Sequence, residues 1–434
     1  MIVPLVHEGA GQLRYIIREI GDIANKIEEL GRPVIRENIG DPVKKGNHRP
    51  LWIRKISAKE TLKPETDAYP PTKGLQYTRE FLAERRNSYN KVKINAEDII
   101  FFNGIAEAIC ILFNELIKTT RVIGPSPAYP THSSYEASHS ETHHITYLLD
   151  PKKEWLPDVE KLRLRVENND QIAGILIVNP NNPTGAVHSK GTLEEIVKIA
   201  KENNRFVISD EIYEHIIYNG AKMVPLSDVI EDVPGIALKG ISKEMPWPGA
   251  RCGWAEFYNI DRDSDFAELF NKIFGSKMLQ VGSTALPQAV IPRVFSDPRY
   301  EKHLNEMSKI YEQRSLEAYD LIGSRKGVTI VKPKGGLYIS VVFDDGVLNK
   351  NQRLPIKNTR VNEFVSNLAS GDISDDVRFT YFLMGGSGIC VSPLSGFETK
   401  LNGFRMTVLE ADDKIRGYIY KNIAEAIDQY LNSA

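Results

Sequence analysis

Lys243 stands in the run Gly240-Ile241-Ser242-Lys243-Glu244-Met245-Pro246-Trp247-Pro248-Gly249-Ala250-Arg251. A primary amine condenses reversibly with an aldehyde, and once released it can act as a base beside the reacting carbon. Upstream lie Asn179-Pro180-Asn181-Asn182-Pro183-Thr184-Gly185 and Ser209-Asp210-Glu211-Ile212-Tyr213. In chain order these phrases deliver an amide, a carboxylate, a phenol, an amine and a guanidinium. Pyridoxal phosphate (PLP) needs that set: an amine for its aldehyde, an anion for its pyridinium nitrogen, donors for its ring oxygen and a cation for its phosphate. Each group alone says little. Their order and spacing single out the cofactor.

The elements that must position these groups are legible around them. Asp210 closes the apolar run Arg205-Phe206-Val207-Ile208-Ser209, which places it at a strand's C-terminal end, where open α/β sheets bind ligands. A carboxylate there keeps a pyridine nitrogen protonated, so that the ring can accept electrons. Phe102-Asn103-Gly104-Ile105-Ala106 ends another apolar run and opens a helix. Backbone amides at such an N-terminus form an anion site, so Asn103, Ile105 and Ala106 are expected to cup the phosphate. Gly104 would allow the close approach. Asn182-Pro183-Thr184-Gly185 is by itself only a turn signal. It gains meaning from the strand before it and from Asp210 after it.

With those phrases in hand, the chain resembles the class I/II aminotransferases, nearly end to end from Asn38-Ile39-Gly40-Asp41-Pro42 to Phe404-Arg405-Met406. It looks closest to the alanine-aminotransferase-like branch, which shares the early Asn-Ile-Gly-Asp-Pro phrase and the Gly-x-Ser-Lys ending. The resemblance implies the α/β fold of the fold type I PLP-dependent transferases: a large domain with a mainly parallel central sheet flanked by helices, and a smaller α+β domain. It implies that Lys243 anchors PLP and carries the proton between Cα and the cofactor, and that Arg251 forks onto the phosphate. Asn182 and Tyr213 would hydrogen-bond the ring oxygen, and Tyr129, in Pro127-Ala128-Tyr129-Pro130, would stack on the ring. Arg405 would bind the substrate α-carboxylate as a bidentate pair, with Gly40 close by. Tyr69, five residues before Gly74, matches a tyrosine that reaches the phosphate held by the other subunit, implying a homodimer with shared sites. Tyr15 and Tyr338 are candidate pocket walls. Two departures stand out. Gly240 replaces a phosphate-binding serine found in many relatives, leaving Ser242 as a substitute, and Pro246 and Pro248 stiffen the segment after the lysine.

Composition bounds the rest. Lys+Arg 55 against Asp+Glu 57 leaves a formal charge of −2 over 434 residues, so nothing draws the chain to nucleic acid or anionic lipid. Cys110, Cys252 and Cys390 are far apart, which points to neither a disulfide framework nor a zinc site and suits the cytoplasm. Met1–Glu8 lacks the basic start and apolar core of a signal peptide, and runs such as Ile172–Val178 are too short to span a bilayer. In the histidine-rich stretch His132, His139, His143, His144, the adjacent His143 and His144 would point to opposite faces of a strand and no carboxylate or cysteine completes a ligand set, so no metal is expected. Gly9-Ala10-Gly11 fails as a dinucleotide fingerprint.

Strands are expected at Ala173–Val178, Phe206–Ser209, Ile236–Leu238 and Trp254–Phe257, with helices at Leu193–Asn203, Ile105–Leu116 and Pro292–Leu321. A composition shift near residue 325 introduces further strands at Val328–Val331 and Gly335–Phe343. A closing helix over Lys414–Leu431 would bury Ile415, Ile419, Ile423, Ile427 and Leu431 on one face. Residues 46–325 are read as the PLP-binding domain. By resemblance, residues 1–45 join 326–434 in a discontinuous small domain.

The function expected is transfer of an amino group from an L-amino acid, such as alanine or glutamate, to a 2-oxo acid such as 2-oxoglutarate, by a ping-pong mechanism. A PLP-dependent lyase or decarboxylase on the same scaffold is the alternative, since fold does not fix reaction type. A ligand-sensing regulator would need a DNA-binding module, and no basic helix-turn-helix stretch precedes residue 40.

Overall fold

A computed structural model describes residues 5–13, 15–89 and 91–433; the first four residues of the Met1–Glu8 run lie outside it. Fourteen strands are present among those residues: β1 (Ile35–Arg36), β2 (Ile99–Phe102), β3 (Arg121–Ser126), β4 (Thr146–Asp150), β5 (Leu156–Pro157), β6 (Ile172–Val178), β7 (Phe206–Asp210), β8 (Gly235–Gly240), β9 (Gly253–Tyr258), β10 (Val328–Ile330), β11 (Tyr338–Phe343), β12 (Ile389–Cys390), β13 (Ser392–Pro393) and β14 (Gly403–Thr407). Eight form one sheet in the order β2-β9-β8-β7-β6-β3-β4-β5. β8, β7, β6, β3 and β4 run parallel, while β9 runs against its neighbours β2 and β8, and β5 against β4.

The central strands read as near-continuous apolar runs because both of their faces are covered. Alternate residues feed two separate cores. Ile175 and Ile177 of β6, Val207 of β7 and Phe101 of β2 pack in one. Leu176, Val178, Ile208 and Phe102 pack in the other, against the helices Ile105–Glu115 and Ser264–Leu279. That period of two is the strand geometry itself.

A second sheet, β10-β11-β14-β13, is antiparallel throughout, and β1 pairs with β12. The closing helix spans Asp413–Leu431, capped by Asp412, whose carboxylate accepts from Lys414 N and Ile415 N. Ile419, Ile423 and Ile427 are buried, but Ile415 is exposed, so the apolar face is shorter than the sequence period suggests. The single helix expected over Pro292–Leu321 is two, Ala285–Phe295 and Arg299–Gly323. The break falls at Ser296-Asp297-Pro298, where the proline disfavours helical backbone in the residue before it. Pro292 is instead tolerated inside the first helix. Among the described residues no helix is long and apolar enough to cross a membrane.

Candidate active site

β6 and β7 end in step, with Val178 opposite Asp210, and β8 runs two residues past Leu238, the partner of Asp210. The loop Asn179–Gly185, the Asp210 carboxylate and the segment Ile241–Lys243 therefore leave the sheet along one edge. Asp210 is 2% exposed. Its Oδ1 accepts from Ile212 N (3.2 Å) and its Oδ2 lies 2.9 Å from His132 Nε2. Burying a charge is costly without such partners, and a proton on Nε2 would make His132 the donor. The sequence offered His132 only as one of a histidine cluster. The structure disperses that cluster: His139 faces Thr120 O, His144 Nδ1 meets Glu136, and His143 is exposed.

Lys243 Nζ donates to Gly40 O at 2.8 Å and sits 6.0 Å from the centre of the Tyr213 ring. The Tyr213 hydroxyl donates to that of Tyr338 at 3.4 Å. Burial pushes the Tyr213 phenol well above its ordinary value. Burial also raises Tyr338, but Arg405, Lys243 and the Tyr213 hydrogen bond together outweigh it and hold that phenol low. Gly40 faces this group without a side chain, since a Cβ there would come within 1.9 Å of Tyr338 Oη.

Arg405 reaches the same cavity from β14, where it pairs with Ser340 of β11. It is 1% exposed. Its Nη1 donates to Asn182 Oδ1 (3.1 Å), and its Nη2 to Asn38 O and Ser392 Oγ. The guanidinium stacks over Tyr338, 4.2 Å from the ring centre, and its Nε is buried without a partner among the described residues. Two sheets thus meet on one arginine. Their junction is tight: Ser340 Oγ donates to Pro183 O, and a Cβ on Gly185 would strike Pro333 and Tyr338 O.

At the other end Gly104 (φ +86°) caps the helix Ile105–Glu115. Ile105 and Ala106 line the cavity, and N–H groups in a first turn have no intrahelical acceptor. Arg251, itself in the left-handed region (φ 47°), lies over this turn with Nη2 3.3 Å from Asn103 O. Asn103 does not line the cavity. Its N–H and amide group are held by Glu107, and its Oδ1 accepts from Thr284 N.

The cavity measures about 280 Å³ and brings together Tyr15, Gly40, Gly104, Ile105, Ala106, Tyr129, Asn182, Asp210, Tyr213, Ser242, Lys243, Arg251, Tyr338 and Arg405. Tyr69 lies elsewhere. It is 86% exposed and borders a more open hollow of about 560 Å³ with Trp247, Val281 and Leu286. Beneath the site, Glu211 and Glu214 turn away from it to bind Lys239, and Arg86 forks onto Glu214 (2.8 and 3.0 Å). Burial raises Glu214, but Arg86 and Lys239 outweigh it and hold the acid well below the carboxylate range. That network fixes the loop carrying Asp210 and Tyr213, and no local sequence signal announces it.

This donor set fits PLP. An amine, a buried carboxylate and a phenol line one cavity together with a helix N-terminus and an arginine. A side chain at Gly104 would fill that cradle, its Cβ lying 2.6 Å from Arg251 Nη2. Residues 34–414 match the family model described as aminotransferase class I and II. The chain belongs to the class I and II aminotransferases. An uncharacterized aminotransferase of Methanocaldococcus jannaschii is 48% identical over 430 residues, covering 99% of both chains. The glutamate-pyruvate aminotransferase AlaA of Escherichia coli is 30% identical over 326 residues, 74% of this chain and 78% of its own. The solved alanine aminotransferase of Pyrococcus furiosus superposes with a TM-score of 0.84 at 26% identity, over 98% of this chain and 99% of that one. This aminotransferase therefore has the fold type I architecture and uses PLP as its cofactor.

Proposed function

We propose that this aminotransferase moves the amino group of alanine, glutamate or a similar L-amino acid to a 2-oxo acid such as 2-oxoglutarate, in a ping-pong cycle. One observation carries the reading: the Lys243 amine, the Asp210 carboxylate and the Arg405 guanidinium line a single cavity. The alanine and glutamate-pyruvate aminotransferases among its relatives support the choice of substrates.

When bound, PLP supplies an electron-accepting ring next to the substrate Cα. Asp210 would hold the proton on the ring nitrogen, with His132 orienting its Oδ2. Tyr213 and Asn182 would hydrogen-bond the ring oxygen, and Tyr129 would flank the ring. Gly104, Ile105, Ala106, Arg251 and Ser242 would hold the phosphate, with Asn103 supporting them through its carbonyl contact to Arg251. Lys243 Nζ would take the proton from Cα and return it on the cofactor side. Arg405 would grip the α-carboxylate beside Gly40, so that the Cα–H bond faces the amine. Tyr15 and Tyr338 would exclude water from that face.

Residues 46–325 form the cofactor-binding domain in this reading, and 1–45 with 326–434 the smaller one. The enzyme is a cytoplasmic homodimer, with Tyr69 serving the partner's phosphate. Its exposure beside Val281, which is itself more than half exposed, supports a surface covered by a second copy. The three free cysteines suit a reducing compartment.

The decisive experiment is reduction of the holoenzyme with borohydride, followed by peptide mapping. The reduced cofactor is expected on Lys243. Recovery on any other lysine would overturn the site.

A further inference from the structure

Lys277, in the last turn of the helix Ser264–Leu279, is fully buried and lies outside the cavity wall. Its ammonium donates to Glu107 Oε2 (2.8 Å) and Gln280 Oε1 (3.0 Å) and stands 5.5 Å from the centre of the Phe102 ring. Taking an ammonium ion out of water is costly, and an apolar side chain of similar length would fill the site at less cost. Packing alone therefore does not account for this charge. Its partner does.

Glu107 is the third residue of the helix Ile105–Glu115. Its carboxylate reaches back past Gly104 and accepts from Asn103 N (2.6 Å) and Asn103 Nδ2 (3.2 Å), much as the acidic residue of a capping box does. Asn103 in turn receives Arg251 on its carbonyl and Thr284 N on its Oδ1. The Glu107 side chain thus holds the turn in shape, and with it the contact to Arg251.

That arrangement contains an electrostatic conflict. The N–H groups of Ile105 and Ala106 and the Arg251 guanidinium suit an anion, yet a carboxylate is built into the same helical turn. Uncompensated, it would repel a phosphate group and compete with it for the positive end of the helix dipole. We propose that Lys277 is a positioning residue for the cofactor phosphate: it neutralises Glu107, so that the carboxylate can hold the Asn103–Gly104 turn without opposing the dianion. This rests on the reading of Gly104, Ile105, Ala106 and Arg251 as the phosphate cradle.

The test measures binding to the apo-protein by calorimetry, with PLP against pyridoxal, which lacks the phosphate. Lys277→Met should weaken PLP roughly tenfold, the scale of one unit charge acting through protein, and leave pyridoxal unchanged. Adding Glu107→Gln to Lys277→Met should recover most of the loss, because the amide still accepts from Asn103 but carries no charge. Equal losses for the two ligands would mark Lys277 as merely structural and overturn the proposal. So would an unchanged PLP affinity, or a double variant as weak as the single. Should Lys277→Met not fold, Glu107→Gln alone decides. It leaves the ammonium charge unbalanced, so the preference for PLP over pyridoxal should rise, and an unchanged or smaller preference would overturn the proposal. Arg251→Ala separates this from the cradle reading. If it leaves that preference unchanged, the cradle itself is wrong; if it lowers the preference while Lys277→Met does not, only the role of Lys277 falls.

Discussion

At the scale of single residues, Asp210 is a buried carboxylate on the wall of the cavity. Its carboxylate is nearly inaccessible to water, and Ile212 N–H and His132 are its hydrogen-bond partners among the described residues. In such a low-dielectric setting a fixed charge aimed at the ring nitrogen acts strongly. Asp210→Asn should keep the fold, because the amide matches the carboxylate in shape and can still accept from Ile212. Single-turnover rates should fall about 100-fold or more, the range seen when one preorganised stabilising group is removed. Circular dichroism would confirm folding, and a near-wild-type rate in the folded variant would remove Asp210 from the role. Asp210, Lys243 and Arg251 could be found in the sequence because each stands in a short phrase whose chemistry is local. His132 could not, because its meaning depends on a contact across 78 positions.

At the scale of elements, the site depends on how two termini approach each other: the N-terminus of the helix Ile105–Glu115 and the left-handed turn at Arg251. Gly104 permits both the positive φ and the contact. Gly104→Ala would strain the backbone by about 1 kcal/mol or more and would push its Cβ to 2.6 Å from Arg251 Nη2. The guanidinium is the end of a flexible side chain, so it should move and leave the phosphate cradle. Equilibrium dialysis should therefore show PLP held about tenfold more weakly, as for loss of about 1.4 kcal/mol, with the apo-protein's melting temperature lowered by only about 1 °C per kcal/mol of strain in a chain of this length. Unchanged PLP affinity would mean that Arg251 does not serve the phosphate. The strands β6 to β8 were legible because central strands of a parallel sheet are apolar on both faces. β12 and β13 were not, being two residues each and too short for any period to register. The helix break at Ser296–Pro298 was hidden by apolar spacing that runs on past it.

At the scale of the whole molecule, the chain brings distant segments together. β1 near the N-terminus pairs with β12, and Arg405 reaches back to Asn38 and Asn182. Local sequence cannot specify such closure, and only the family resemblance pointed to it. Tyr69 raises the same question between subunits, since it stands in the open hollow rather than in the cavity with Lys243. If each site takes Lys243 from one subunit and Tyr69 from the other, two defective variants should complement. Lys243→Ala alone leaves no amine, and Tyr69→Ala alone should retain PLP poorly. Co-refolded in equal amounts, half the dimers become mixed, and each mixed dimer contains one site with both native residues. Activity should then rise to about a quarter of wild type, the share set by random pairing in a two-fold dimer. Were Tyr69 to act within its own subunit, every site would keep one defect and mixing would recover nothing. Full activity in Tyr69→Ala by itself would remove the tyrosine from the site altogether.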